Sequence, residues 1–459
     1  MIGFVSIAVV IFGFLTPLEP PDSSARSRIV PIAEGWAENS VNAVIFRRNS
    51  VASHGDIQYA AFYDADSKVT LARRTLGSAD WEIRTTRYEG NTRDAHNSIS
   101  IIVDATGVLH MSWNHHCVPL NYCRSKEPGS LELTDRMAMT GHKEKRVTYP
   151  EFYNLPDGGL LFVYRDGASG RGDLMMNRYD PSTGRWTRLQ DSLLDGEGER
   201  NAYWQAAIGP DGSIHLSWVW RESGDVATNH DLCYARSIDG GKSWQKSTGE
   251  PYALPITAKS AECACAIPQK SELINSTSMC LDNEGRPYIA TYWRPAGTDV
   301  PQYHLVYHDG TAWTKSQITR RTTPFSLSGF GTRRIPISRP QIVADSSGAA
   351  VRAFMAFRDK ERENRVSIAV CDDLGGASWR IEDVTGRSVA LWEPSYDTAL
   401  WQREKILHLF VQKVGQGQGE TLEKIPPQMV SILEWTPRAA PKGDETSENR
   451  TDPAGGDGR

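Results

Sequence analysis

The chain has 459 residues, 39% hydrophobic and 23% charged, and 51 Lys and Arg against 56 Asp and Glu leave a net charge of −5. That composition is globular, and the charge balance excludes a broad electrostatic hold on nucleic acid. Fourteen Trp, 39 Gly and 25 Pro together suit many short strands joined by tight turns, not a helical bundle.

The N-terminus opens with an apolar run, Ile2 to Leu15. It has the length of a secretory signal core and is short for a membrane helix. Residues 1–25 therefore read as a signal peptide, with an uncleaved anchor as the alternative. The expected location is secreted or periplasmic, with membrane contact only if this segment is retained.

From there one phrase recurs: Asp, a turn with Gly, then alternating apolar residues that end in an aromatic and a polar group. Its copies are DIQYAAFYD (56–64), DATGVLHMSWNHH (104–116), DGGLLFVYRD (157–166), DGSIHLSWVWR (211–221), DNEGRPYIATYWR (282–294), DSSGAAVRAFMAFR (345–358) and REKILHLFVQK (403–413). A turn followed by Trp or a substitute falls between them, as in GSADW (77–81), STGRW (182–186) and GGASW (375–379). Each unit holds four short strands and no sustained helical period. Seven such units predict an all-β fold, a seven-bladed β-propeller of four-stranded antiparallel blades over residues 26–436. Two packed β-domains are the alternative. The segment 437–459 lacks apolar spacing and reads as a disordered tail. One turn, Ser237 to Trp244, is a complete Asp-box, a folding element in which Asp accepts local N–H bonds and Trp plugs the gap between blades.

Aligned on the turn glycine, His116, Arg221 and Arg294 occupy one position in three blades, and Arg165 and Arg358 end the corresponding strands at a slipped offset. Equivalent positions in a ring face one mouth. A guanidinium cluster there would trap an anion in a protein of net negative charge. The plainer reading pairs each Arg with the acid beside it: Asp166, Glu222 or Asp359. His96, Tyr149 and Tyr203 are likewise one position, about ten residues before a repeat Asp, and Asn201 opens the NAYW segment with Tyr203. Arg, His and Tyr around an anionic sugar suit abstraction of the proton next to a carboxylate. Arg steadies the developing charge, and Tyr or His moves protons, so β-elimination needs no cofactor. Seven cysteines exclude a dense disulfide framework. Cys117 and Cys123 could pair in an oxidising compartment, and Cys263 and Cys265 with upstream His230 and Cys233 could hold a structural metal ion; the plainer reading makes the cysteines small buried residues on strands.

DAHN (94–97), WNHHCVPLNY (113–122), VTYPEF (147–152), VYRDGASGRG (164–172), NAYW (201–204), LSWVWRES (216–223), YWRP (292–295) and RIPISRPQI (334–342) resemble the BNR-repeat-containing propeller family. That family is similar to the seven-bladed propeller polysaccharide lyases, including ulvan lyases of polysaccharide lyase families 24 and 25. The resemblance implies that His96, His116 and Tyr149 are the acid–base group, with Tyr149 next to the scissile bond, and that Arg165 neutralises a uronate carboxylate. It implies that Tyr203 holds the sugar, that Arg221 and Arg294 bind carboxylate or sulfate, and that His230 belongs to the site wall or an ion site. The expected partner is an anionic polysaccharide, bound by a monomer. A sialidase-like hydrolase, suggested by Arg334-Ile335-Pro336, and a non-catalytic glycan-binding propeller are the rival readings.

Overall fold

The computed structural model describes residues 27–45, 49–169, 171–275 and 277–438. The recurring phrase is a hairpin with a defined cause. In DATGV, Asp104 Oδ1 accepts from Thr106 N at 2.9 Å and Val108 N at 3.0 Å, and Gly107 turns the chain at φ 85°. Asp282 does the same for Glu284 N and Arg286 N, both at 2.9 Å. The side chain supplies the hydrogen bonds that the turn backbone cannot, and glycine takes the left-handed conformation.

These hairpins build seven antiparallel sheets, and the fold is a seven-bladed β-propeller. Four sheets have four strands each. In two others the fourth strand is reduced to a single bridge, Ser125 to Leu133 and Tyr396 to Leu409. The seventh gains a fifth strand, His116–Val118, laid against Val147–Asn154. The strand Ser27–Gly35 was not read from the repeats. It pairs with Gln428–Trp435, Ser27 opposite Trp435 and Gly35 opposite Gln428. The start of the described chain thus completes the last blade, and main-chain hydrogen bonds close the ring.

Blades pack through large side chains. Trp218, Trp220 and Trp244 are buried in one cluster with Leu216, Leu232 and Ile256. Trp244 is the Asp-box tryptophan, its turn tied by Asp239 Oδ1 to Lys242 N and Ser243 N, each at 3.0 Å. Near the axis the contacts are polar: buried Asp397 accepts from Gln58 Nε2 at 2.9 Å and Ser53 Oγ at 3.1 Å, and burial pushes its carboxyl up. The short helix Thr398–Glu404 follows, capped by Asp397.

Among the described residues no helix is long and apolar enough to cross a membrane. The expected signal or anchor lies outside the described residues, as does nearly all of the expected tail. All seven cysteines are free thiols, so Cys117 and Cys123 are not paired. Cys123 is buried in the core beside Met111 and Leu131, whereas Cys117 lies on the strand carried across to the next blade.

Candidate active site

The site begins with one carboxylate. Asp94 Oδ1 accepts from the backbone N–H of His96 at 2.9 Å and bonds its Nδ1 at 2.7 Å. Asp94 Oδ2 bonds His116 Nδ1 at 2.5 Å. The two imidazoles stack with centroids 4.1 Å apart and 19° between their planes. Burial pushes the Asp94 carboxyl up, but the hydrogen bonds from His116 and His96 outweigh it and hold the group far below the usual carboxylate range. His96 is lowered, chiefly by burial and further by the second imidazole, against the pull of Asp94. Glu420 braces the same corner, with Oε1 at 3.4 Å from His96 Nδ1 and Oε2 accepting from Ala95 N at 3.1 Å.

His116 reaches this place by an excursion. It is not the end of the strand Leu109–Trp113, as the alignment on Gly107 implies, but the start of His116–Val118, paired through Thr148 with the neighbouring blade. That crossing sets it beside Tyr149. Tyr149 sits at φ 55° inside Val147–Asn154, where the register breaks between Thr148 and Glu151. A left-handed tyrosine in a strand costs about 1–3 kcal/mol, and bulges of this kind re-aim side chains. Its ring lies 5.9 Å from His96 and 6.1 Å from Tyr203.

Arg165 comes from Leu160–Ala168. Its guanidinium carbon lies 4.9 Å from the centre of the Tyr149 ring. Nε donates to Gly167 O at 3.2 Å, and Nη1 is buried without a partner. The bare Gly172 makes this possible, since a Cβ there would lie 2.5 Å from Arg165 Cδ. Arg221 ends Ile214–Arg221. It donates to Ser223 O at 3.1 Å and to the Tyr203 hydroxyl at 3.3 Å, and also to Gly224 O. Burial pushes the Tyr203 phenol up, but Arg221 and then Arg165 outweigh it and bring the phenol below its ordinary value. Tyr149 moves the other way, raised by burial and by Tyr203.

The neighbouring acids do not neutralise these arginines. Asp166 contacts Arg146 at 3.5 Å, Glu222 contacts Arg200 at 2.9 Å, and Asp359 contacts Arg321 at 2.7 Å. The local pairing expected on the plainer reading does not form.

A cavity of about 200 Å³ is lined by His96, His116, Tyr149, Arg165, Tyr203 and Arg221. The other three sequence candidates fall outside its lining. Arg294 spends its guanidinium on Thr298 O at 3.2 Å and Lys270 O at 2.6 Å. His230 is held by Glu222 at 2.7 Å and Asp231 at 3.0 Å, and is raised by the Asp231 bond first and by Glu222 against burial. Asn201 stands behind the wall, its Oδ1 accepting from Gly172 N at 3.0 Å. Arg358 is spent on the carbonyls of Trp392, Pro336 and Ile335. Sequence reasoning missed Asp94, although it stands two residues before His96. It also missed Arg339, which lines the cavity while paired to Glu393 at 2.8 Å. Glu420 gave no local signal at all.

Among the described residues the one group able to hold a metal ion is Asp94, His96 and His116, whose ligand atoms lie within 4.8 Å of one another. The His230 and cysteine set suggested by the sequence is not such a group: Cys233 is in the core and His230 is committed to two carboxylates.

A family model for BNR repeat-containing family members matches residues 57–321. The chain belongs to this BNR repeat-containing family. Among its curated relatives, an ulvan lyase of Alteromonas sp. (strain LOR) is 23% identical over 357 residues, covering 67% of this chain and 72% of the relative. The long isoform of an ulvan lyase from Alteromonas sp. is 23% identical over 293 residues, covering half of this chain. The BNR chain spans only 29% of that relative's length. A solved ulvan lyase of family PL25, bound to -[GlcA(1-4)Rha3S]-, superposes with a TM-score of 0.64 at 15% identity, covering 88% of this chain and 95% of that one. That likeness is one of fold.

Proposed function

We propose that this chain is a polysaccharide lyase that cleaves a uronate-bearing, ulvan-like polysaccharide by β-elimination. The observation that carries the reading is the buried, unpartnered Nη1 of Arg165 beside Tyr149, in a cavity shared with the histidine pair. A desolvated donor of this kind is costly until an anion fills it. A uronate carboxylate is such an anion, and Arg221 adds a second guanidinium. The relatives named as ulvan lyases support the same substrate class.

On this reading the proton work divides between the histidine pair and Tyr149. Nδ1 of both imidazoles is engaged by Asp94, so proton exchange falls to Nε2. Burial favours the neutral form of His96, the form a base requires, and Asp94 stabilises the imidazolium once it forms. Tyr149, raised by burial, stays protonated and serves as the acid. With the carboxylate on Arg165, the histidine pair takes the C5 proton. The C5–H electron pair becomes the C4–C5 double bond, the C4–O4 bond breaks, and Tyr149 protonates O4. Tyr203, the easier phenol to ionise, stays with Arg221 to seat the sugar. Neither step draws on a cofactor.

The hydrolase reading loses ground on one count. Among the described residues lining the cavity there is no Asp or Glu, whereas glycoside hydrolysis uses a carboxylate pair or a tyrosine with its partnering acid. The Arg334-Ile335-Pro336 segment is otherwise employed: Arg334 pairs with Glu423 at 2.8 Å. The test is incubation with ulvan, other uronate polymers and sialosides. Elimination gives ultraviolet absorbance together with new reducing ends. Reducing ends without absorbance would overturn the reading.

A further inference from the structure

Part of the cavity wall comes from the segment joining the strands Trp313–Gln317 and Gln341–Asp345. This segment has no strand of its own, yet two carboxylates clamp the stretch that lines the cavity. Asp225 is one, accepting from Gly329 N at 2.8 Å and Ser328 Oγ at 3.0 Å, while Val226 N donates to Gly329 O at 3.1 Å. Glu420 is the other, accepting from Thr332 N at 2.7 Å. Glu420 is the same side chain that braces His96, so the segment and the histidine pair share a support.

Two side chains between and beside these clamps have no structural employment. Phe330 lines the cavity with 67% of its surface exposed, more than any other Phe or Trp among the described residues. An apolar ring of this size is normally buried, and exposure at a cavity rim marks a contact surface. Its place is built: a Cβ on Gly224 would lie 2.5 Å from the Phe330 ring. Arg333 also lines the cavity. Its guanidinium folds over Gly329, where φ is 125° and a Cβ would lie 2.1 Å from Nη1. Arg321, Arg334 and Arg339 of the same segment pair with Asp359, Glu423 and Glu393. Arg333 has no carboxylate within 4.0 Å among the described residues.

We propose that Phe330 and Arg333 form a second sugar subsite, in which the phenyl ring stacks on a pyranose face and the guanidinium binds an anionic substituent of that sugar. The inference rests on the polysaccharide reading above and adds two residues to it, one for a pyranose face and one for an anionic substituent of a sugar other than the uronate held at Arg165. The two Gly residues that admit these side chains, and the carboxylates that hold the segment, Asp225 and Glu420 among them, give the subsite its shape before substrate arrives, which lowers the ordering cost of binding.

The test is binding by titration calorimetry in the Tyr149→Phe background, using ulvan oligosaccharides, desulfated ulvan and carboxyl-reduced ulvan as probes. Phe330→Ala should weaken binding of all three about 3- to 10-fold, and Phe330→Trp should restore it. Arg333→Ala should weaken binding about tenfold for whichever probes keep the recognised anion, and leave unchanged the probe that lacks it. Thermal melting checks that each variant is folded. Unaltered affinity for every probe in folded F330A and R333A overturns the subsite. Wild-type chain that binds these oligosaccharides, with the same sensitivity to F330A and R333A, but never produces absorbance overturns the lyase reading and leaves the subsite standing.

Discussion

His96 and His116 stack face to face at 4.1 Å, both bonded through Nδ1 to one carboxylate. A charged imidazole at that distance disfavours a proton on its neighbour, and His116 lowers His96 while Asp94 pulls the other way. The pair is built from residues 20 positions apart.

Asp94→Asn keeps the size of the side chain and removes the charge. Turnover of a uronate polymer should fall by about 10²–10⁴-fold. The acid limb of the pH–rate profile should move to lower pH, because Asp94 is what raises the His96 affinity for protons. Steady-state rates across pH check both. An unmoved acid limb would show that the histidine pair is not the base.

Tyr149→Phe should abolish absorbance-producing turnover while oligosaccharide binding survives, since only the phenolic hydroxyl is lost and the ring stays. Arg165→Lys should cut kcat/KM by about 10²-fold or more, because an ammonium lacks the planar fork that meets a carboxylate. Calorimetry and rate measurements on the same preparations separate binding from chemistry.

Acid should weaken the fold in a defined window. Burial lowers His215, His304 and His408 from 6.5 to about 4, and His115 to about 3. These groups have folded-state values below their unfolded ones, so between about 4 and 6.5 the unfolded chain binds more protons. Stability is full above 6.5 and falls as pH drops through that window, with a slope of up to about 1.4 kcal/mol per pH unit for each histidine. Denaturant midpoints at pH 7.5, 6, 5 and 4.5 should decline progressively; a flat series would contradict the burial.

Trp244→Ala empties the buried Asp-box position and should cost about 3–5 kcal/mol of stability. Below the melting temperature the variant should keep its kcat/KM, since Trp244 is outside the cavity. Chemical denaturation and a rate assay at low temperature measure the two effects.

Much of the fold was legible because the repeat is made by local forces. Asp104, Asp211 and Asp282 tie turns within a few residues of themselves, so their spacing survives in the sequence as a visible rhythm. The closing strand Ser27–Gly35 was not legible. It carries no turn of the repeat and owes its place to a partner about 400 residues away.

The site was legible to the same extent. His96, Tyr149, Arg165, Tyr203 and Arg221 sit at repeated positions of a ring, and the ring brought them to one cavity. Arg294 has the right position and the wrong neighbours, because carbonyls at Lys270 and Thr298 were in reach of its guanidinium. Glu420 has no repeat position, yet it stands against His96 from 324 residues away.

The residue pattern by itself determined seven hairpin-built blades, their antiparallel pairing and the set of side chains that could meet at one mouth, since periodicity and turn chemistry act over a few residues. Tertiary structure alone decided which arginines keep an open guanidinium, which phenol is eased toward ionisation and how two histidines share one carboxylate. Those outcomes depend on distances of a few ångströms between blades, where burial strengthens every charge, and no count of positions along the chain encodes them.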